Sequence, residues 1–153
     1  CYNRVSILLT TTELDGDDQE KEKADNSMLT CQKAKVADSS QSIGDILFDT
    51  GEYSRALKSY DEALQLRRTF DNFSCIVADT LCLKGNVLLK MKQWDSAILA
   101  FDEAFRIRVD KLPPDHKDIA ECFHLIGKAY EGDGKLEQAL EYYKKGQRIF
   151  SGH

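Results

Sequence analysis

Three glycines, Gly44, Gly85 and Gly127, stand 41 and 42 residues apart, and each comes six residues after a matching apolar-alanine-acid triplet. The triplets are Val36-Ala37-Asp38, Val77-Ala78-Asp79 and Ile119-Ala120-Glu121. The match runs on through Leu47, Leu88 and Tyr130, then Tyr53, Trp94 and Leu136, then Ala56, Ala97 and Ala139. It continues at Tyr60, Phe101 and Tyr143, and at Ala63 and Ala104, where the third copy has Gly146. A chain that repeats itself at such a period stacks copies of one supersecondary unit, because a single copy cannot bury its own apolar face.

The unit is helical. Tyr53, Ala56, Leu57, Tyr60, Ala63 and Leu64 fall on one stripe of a helix, and Trp94, Ala97, Ile98, Phe101, Ala104 and Phe105 repeat that stripe. Small residues in it allow two helices to approach closely while the rings fill the space beside them. Each repeated glycine costs about 1 kcal/mol of helix propensity. A cost incurred three times implies that a neighbouring helix crosses where no side chain fits. Thr50-Gly51-Glu52 and Asp133-Gly134-Lys135 supply glycine for the left-handed position that ends a helix. The middle copy places Lys92 there, which predicts a mildly strained turn.

This pattern resembles the tetratricopeptide repeat, in the long-period form of kinesin light chains. The segment Leu112-Pro113-Pro114-Asp115-His116-Lys117-Asp118-Ile119-Ala120 is similar to the inter-repeat linker of that subfamily. The resemblance implies an all-α, right-handed α-solenoid of antiparallel helix pairs. Residues 37–76, 77–118 and 119–153 are its three repeats, with 27–36 a helical lead-in. Residues 1–12 read as the second helix of a preceding partial repeat, through Tyr2, Val5 and Leu8, and 13–26 as an acidic, solvated linker.

Proteins of this kind hold an extended peptide or short helix on a concave face lined by the first helix of each unit. Carried over by position, the resemblance places Gln41, Asp45 and Phe48, then Cys82, Asn86 and Leu89, then His124, Lys128 and Glu131 in that groove. Asn86 could pair with a peptide backbone of any sequence, Lys128 with an acidic side chain and Asp45 with a basic one. The repeats that clamp a chaperone's terminal carboxylate carry Lys, Asn and Arg at positions held here by Gln41, Asp45, Leu83, Glu121 and Leu125. A chaperone tail is therefore not an expected partner.

Charge and cysteines narrow the classes further. The net charge of -5 equals that of residues 13–25 alone, where seven acids face Lys21 and Lys23, so the rest of the chain is balanced. A balanced body has no field to gather nucleic acid. Arg67, Arg68, Arg106, Arg108, Lys144, Lys145 and Arg148 lie toward the ends of second helices, where they would complement the helix dipole. The five cysteines are odd in number and lack Cys-x-x-Cys spacing, which reads as small buried hydrophobes in a reducing, cytoplasmic compartment. No signal peptide and no apolar run long enough to span a membrane is visible.

Chemistry is hard to find. His116, Cys122 and His124 form the one candidate cluster, but Cys122 and His124 point to different faces of a helix. Asp15-Gly16-Asp17-Asp18 and Glu131-Gly132-Asp133-Gly134 lack the spacing of a calcium loop. The sequence thus points to no enzyme, no cofactor and no metal. No polar capping helix follows the third unit, so Ile149 and Phe150 would be partly bare, which suggests a segment of a longer array. The leading expectation is an interaction scaffold. Two alternatives are self-assembly through uncapped ends and regulation of a larger enzyme or motor-associated protein.

Overall fold

The structure, a computed structural model, describes residues 16–151, and of residues 16–22 and 24–26 only the backbone. Six α-helices and no strands are found among them: α1 Gly16–Asp49, α2 Tyr53–Arg68, α3 Cys75–Lys90, α4 Trp94–Lys111, α5 Lys117–Gly132 and α6 Leu136–Ser151. From Val36 onward the chain is one compact unit, and the helical residues before it belong to another. The acidic stretch expected to be a linker is helical from Gly16. Residues 19–24 are Gln, Glu, Lys, Glu, Lys and Ala, all good helix formers, so local propensity prevails over charge. Residues 1–12, expected as a preceding helix, lie outside the described residues.

Within the compact unit the helices pair along the chain, with α3 against α4 and α5 against α6, and successive pairs joined by α2 to α3 and α4 to α5. The repeated glycines explain how closely the partners approach. A Cβ built on Gly44 would lie 2.7 Å from the Tyr60 ring, one on Gly85 2.4 Å from Phe101, and one on Gly127 2.7 Å from Tyr143. The crossing inferred from sequence is thus a ring of the second helix laid over the bare backbone of the first. Around these contacts the alanines Ala56, Ala97, Ala104, Ala120 and Ala129 are fully buried. The main core runs from Leu64 through Val77, Leu81 and Phe101 to Leu125 and Ile126.

The three turns within pairs have the same geometry. Gly51, Lys92 and Gly134 have φ of 86°, 62° and 83°. Each lies in a double hydrogen bond back to the preceding helix, as in Gly51 N to Phe48 O at 3.1 Å and Glu52 N to Leu47 O at 2.9 Å. Lys92 adopts the glycine conformation at a cost that a glycine avoids. Lys92→Gly should therefore raise stability by about 1 kcal/mol, read as a higher urea midpoint with unchanged slope. Between repeats, Leu112 turns extended before Pro113 and ends α4. Ser74 and His116 then cap the next helices, accepting from Val77 N at 3.3 Å and Asp118 N at 3.1 Å.

Candidate functional site

Along the first helices, α1, α3 and α5, one helical face is left unpaired by α2, α4 and α6. A cleft of about 620 Å³ opens there, lined by Phe48 of α1, Asn86, Leu89 and Lys90 of α3, Trp94 at the start of α4, and Lys128, Glu131 and Gly132 of α5. A second hollow, of about 270 Å³, shares Phe48 and Asn86 with it and continues over Asp45, Asp49, Tyr60 and Leu83. The two make one groove crossing all three repeats.

Of the nine positions carried over from the resemblance, Phe48, Asn86, Leu89, Lys128 and Glu131 meet in the larger hollow. Asp45 lies in the smaller one, where it accepts a hydrogen bond from the Tyr60 hydroxyl. Burial and this bond push the Tyr60 hydroxyl well above the usual phenol range. Glu131 is held similarly by the Tyr143 hydroxyl at 2.6 Å. Burial, with Glu131 beside it, pushes Tyr143 up to about 12. These bonds aim both carboxylates along the groove wall.

Three positions fall elsewhere. Cys82 is only 5% exposed and belongs to the core, because α5 packs over it. Its carried-over groove role is corrected accordingly. Gln41 accepts from the guanidinium of Arg67. His124 lies beside Tyr143, the rings tilted by 46° with 5.4 Å between centres, and lines a separate hollow with Gly146 and Phe150. Of the residues weighed for chemistry, His116 is occupied as a helix cap and Cys122 is fully buried.

The sequence reading missed Trp94, Lys90 and Asp49, and named Leu83 only as a departure from the chaperone clamp. Trp94 was legible only as part of the apolar stripe, yet its indole also lies over Gly132, where an added Cβ would meet it at 2.5 Å. Lys90 and Lys128 are exposed, and neither has an ion-pair partner among the described residues. Two unpaired cations thus flank an apolar floor of Phe48, Leu89 and Trp94, while the α1 end carries Asp45 and Asp49.

A second set of polar residues, also missed, ties the repeats together. Arg67 and Arg108, expected to complement the helix dipole, are 9% and 4% exposed. Arg67 reaches Asp38 of its own repeat at 2.7 Å and Thr80 of the next at 2.6 Å. Arg108 does the same one repeat later, with Asp79 at 2.8 Å and Cys122 Sγ at 3.3 Å. The signal was available: Asp38 with Asp79, Arg67 with Arg108, and Thr80 with Cys122 each recur at the repeat spacing.

The tetratricopeptide repeat profile matches residues 36–108 and 76–151, and the chain belongs to that family. It is an all-α solenoid of such repeats and, in general terms, a protein-interaction scaffold. Solved structures share the fold. BtubC (BKLC) from P. vanneervenii matches with a TM-score of 0.71 at 24% identity, over 77% of this chain and 48% of that one. The TPR domain of Arabidopsis FLU matches with 0.71 at 18% identity, over 79% and 99%. A kinesin-light-chain-type protein of Podospora anserina with nearly identical TPR-like repeats matches with 0.67 at 13% identity, over 76% and 56%. This chain therefore spans about half the length of the first of these. No curated protein matches the sequence. No helix among the described residues is long and apolar enough to cross a membrane.

Proposed function

We propose that the chain is a non-catalytic adaptor that holds an extended peptide or short helix in the groove lined by α1, α3 and α5. The observation that carries this is the pair of unpaired lysines, Lys90 and Lys128, beside the apolar floor of the larger hollow. A carboxylate on the ligand would complete them, and an apolar side chain next to it would fill the space against Leu89 and Trp94. Toward α1, Asp45 and Asp49 favour a basic residue, which gives the bound peptide a direction. Asn86, half-buried, lines both hollows, and in this reading it pairs with the peptide backbone.

Selection from a displayed peptide library should yield ligands with an acidic residue beside an apolar anchor. Calorimetry should then show Asn86→Ala and Lys128→Glu each weakening the selected peptide by about tenfold or more. Equal affinity of both variants and the original would refute the groove. A chaperone-tail peptide with a free terminal carboxylate should not bind, and micromolar binding of it would overturn the position assignments.

A second reading has its own observation. Phe150 occupies the register of Arg108 but is 58% exposed, and α6 also exposes Leu136 and Leu140. That face could seat another copy of the chain. Sedimentation across a concentration range tests it, and a persistent monomer would exclude self-assembly.

A further inference from the structure

We propose that α4 and the loop joining α2 to α3 form a second docking surface, for a short segment of a partner protein that sets an arginine or lysine beside an apolar side chain. A hollow of about 660 Å³ opens there and shares no residue with the groove. Phe73, Leu99 and Ile107 give it an apolar floor, and Asp102, Glu103 and Asp110 an acidic rim. Leu99 is 71% exposed and Phe73 62%. Large apolar side chains bared together on one hollow mark a place where another molecule sits.

The hollow is held in shape from both sides. Arg68 of α2 donates to Asn72 Oδ1 in the loop at 3.0 Å and pairs with Glu103 of α4 at 2.8 Å. The Phe73 N–H donates to Asp71 Oδ1 at 2.9 Å, and Ser74 caps α3 directly after it. These bonds fix the backbone that carries the Phe73 ring, so a ligand meets a preformed wall. A smaller hollow of about 370 Å³ shares Leu99 and Glu103 and continues the surface to Leu57 of α2.

Comparison within the array separates this surface from packing. The position of Leu99 holds Lys58 one repeat earlier and Glu141 one repeat later, both exposed. The position of Phe73 holds Asp115 at the next junction, exposed as well. The repeat thus turns both positions toward solvent and elsewhere fills them with charge. Two large apolar residues at one junction meet no need of the fold, which leaves a ligand as their use.

Charge selects the occupant. Glu103 is paired with Arg68, and Asp102 with Arg106 at 2.9 Å. The second pair is an exposed one within a single helix, weak enough for a ligand's cation to replace. Asp110 has no ion-pair partner among the described residues. A basic residue on the ligand completes it, where an acidic one would meet three carboxylates. In the groove the unpaired lysines favour the opposite charge, so the two surfaces would hold different partners. Only that contrast rests on the groove reading above.

The test pans a displayed library of short random peptides on the full chain and depletes it on Leu99→Asp, a change that lies outside the groove. Enriched peptides should carry an arginine or lysine near an apolar residue. By calorimetry, Leu99→Asp and Asp110→Lys should each weaken a synthetic enriched peptide by about tenfold or more. Lys58→Asp, at the matching position of the first repeat, should leave its affinity within about twofold. Leu99 and Asp110 are exposed, and an unchanged urea midpoint of Asp110→Lys verifies the fold independently of Leu99→Asp. Full affinity in Asp110→Lys, equal weakening by Lys58→Asp, or a library with nothing left after depletion would overturn the surface. Enrichment of acidic peptides would overturn its charge preference. A dimer in sedimentation that Leu99→Asp disperses would make a second copy the occupant and overturn the peptide.

Discussion

Gly85→Ala lowers stability by about 3 kcal/mol, the largest loss expected among the three repeated glycines. The added methyl would meet the Phe101 ring at 2.4 Å, with two further ring atoms within 2.8 Å. Phe101 is 0% exposed and packed into the main core, so the ring has no direction in which to retreat. Gly44→Ala meets Tyr60 at 2.7 Å, a ring nearly as buried but at the edge of the unit, where a smaller cluster backs it. Gly127→Ala meets Tyr143, which is only half-buried and can swing outward once its bond to Glu131 breaks. Equilibrium unfolding in urea should rank the losses Gly85, Gly44, Gly127. Shortening the ring with Phe101→Leu should recover part of the Gly85→Ala loss, because the two changes act on one contact. A Gly85→Ala protein within about 0.5 kcal/mol of the original would mean that the helices slide apart freely, and the packing account would fail.

Why this much was legible follows from what a repeat records. A close approach between helices leaves a glycine and a ring at fixed spacing, and three copies turn a weak local signal into a pattern that propensity alone could not give. The turn at Lys92 shows the same logic in reverse. Its position in the repeat, rather than its residue type, indicated a left-handed backbone, and φ there is 62°. The acidic stretch failed because it has no counterpart in the other copies. Only composition was available, and charge density suggested solvation where the backbone is in fact helical from Gly16.

The groove was legible by position and less so by environment. Phe48, Asn86, Leu89, Lys128 and Glu131 line one hollow, since register along α1, α3 and α5 fixes which face they share. Cys82 holds an equivalent register yet is buried, because exposure there depends on how tightly the next helix packs, which spacing does not encode. Trp94 lies over the bare backbone of Gly132 in the next repeat, a neighbour that the apolar stripe of its own repeat does not reveal.

The buried arginines lead to the last expected result: Arg108→Ala costs about 3 kcal/mol, whereas Arg108→Met costs roughly half as much. The side chain fills the junction of α3, α4 and α5, donating to Asp79 at 2.8 Å, to the Asp118 carbonyl at 3.1 Å and to Cys122 at 3.3 Å. Alanine removes both the contacts and the volume, while methionine keeps most of the volume. Asp79 itself is 62% exposed in its side chain. Losing the arginine therefore leaves that carboxylate in water rather than stranded, and the charge contributes less than the packing. Asp79→Ala should accordingly cost about 1 kcal/mol, since the guanidinium keeps its carbonyl and sulfur contacts. A cycle combining Asp79→Ala with Arg108→Met should show coupling of about 1 kcal/mol. Coupling several times larger would show that the pair is effectively shielded from solvent and that charge, rather than volume, joins the repeats. The third repeat bears on the choice, for it carries Phe150 at the arginine's register and Glu121 at the aspartate's. A site whose main task is to fill a junction accepts an apolar ring there.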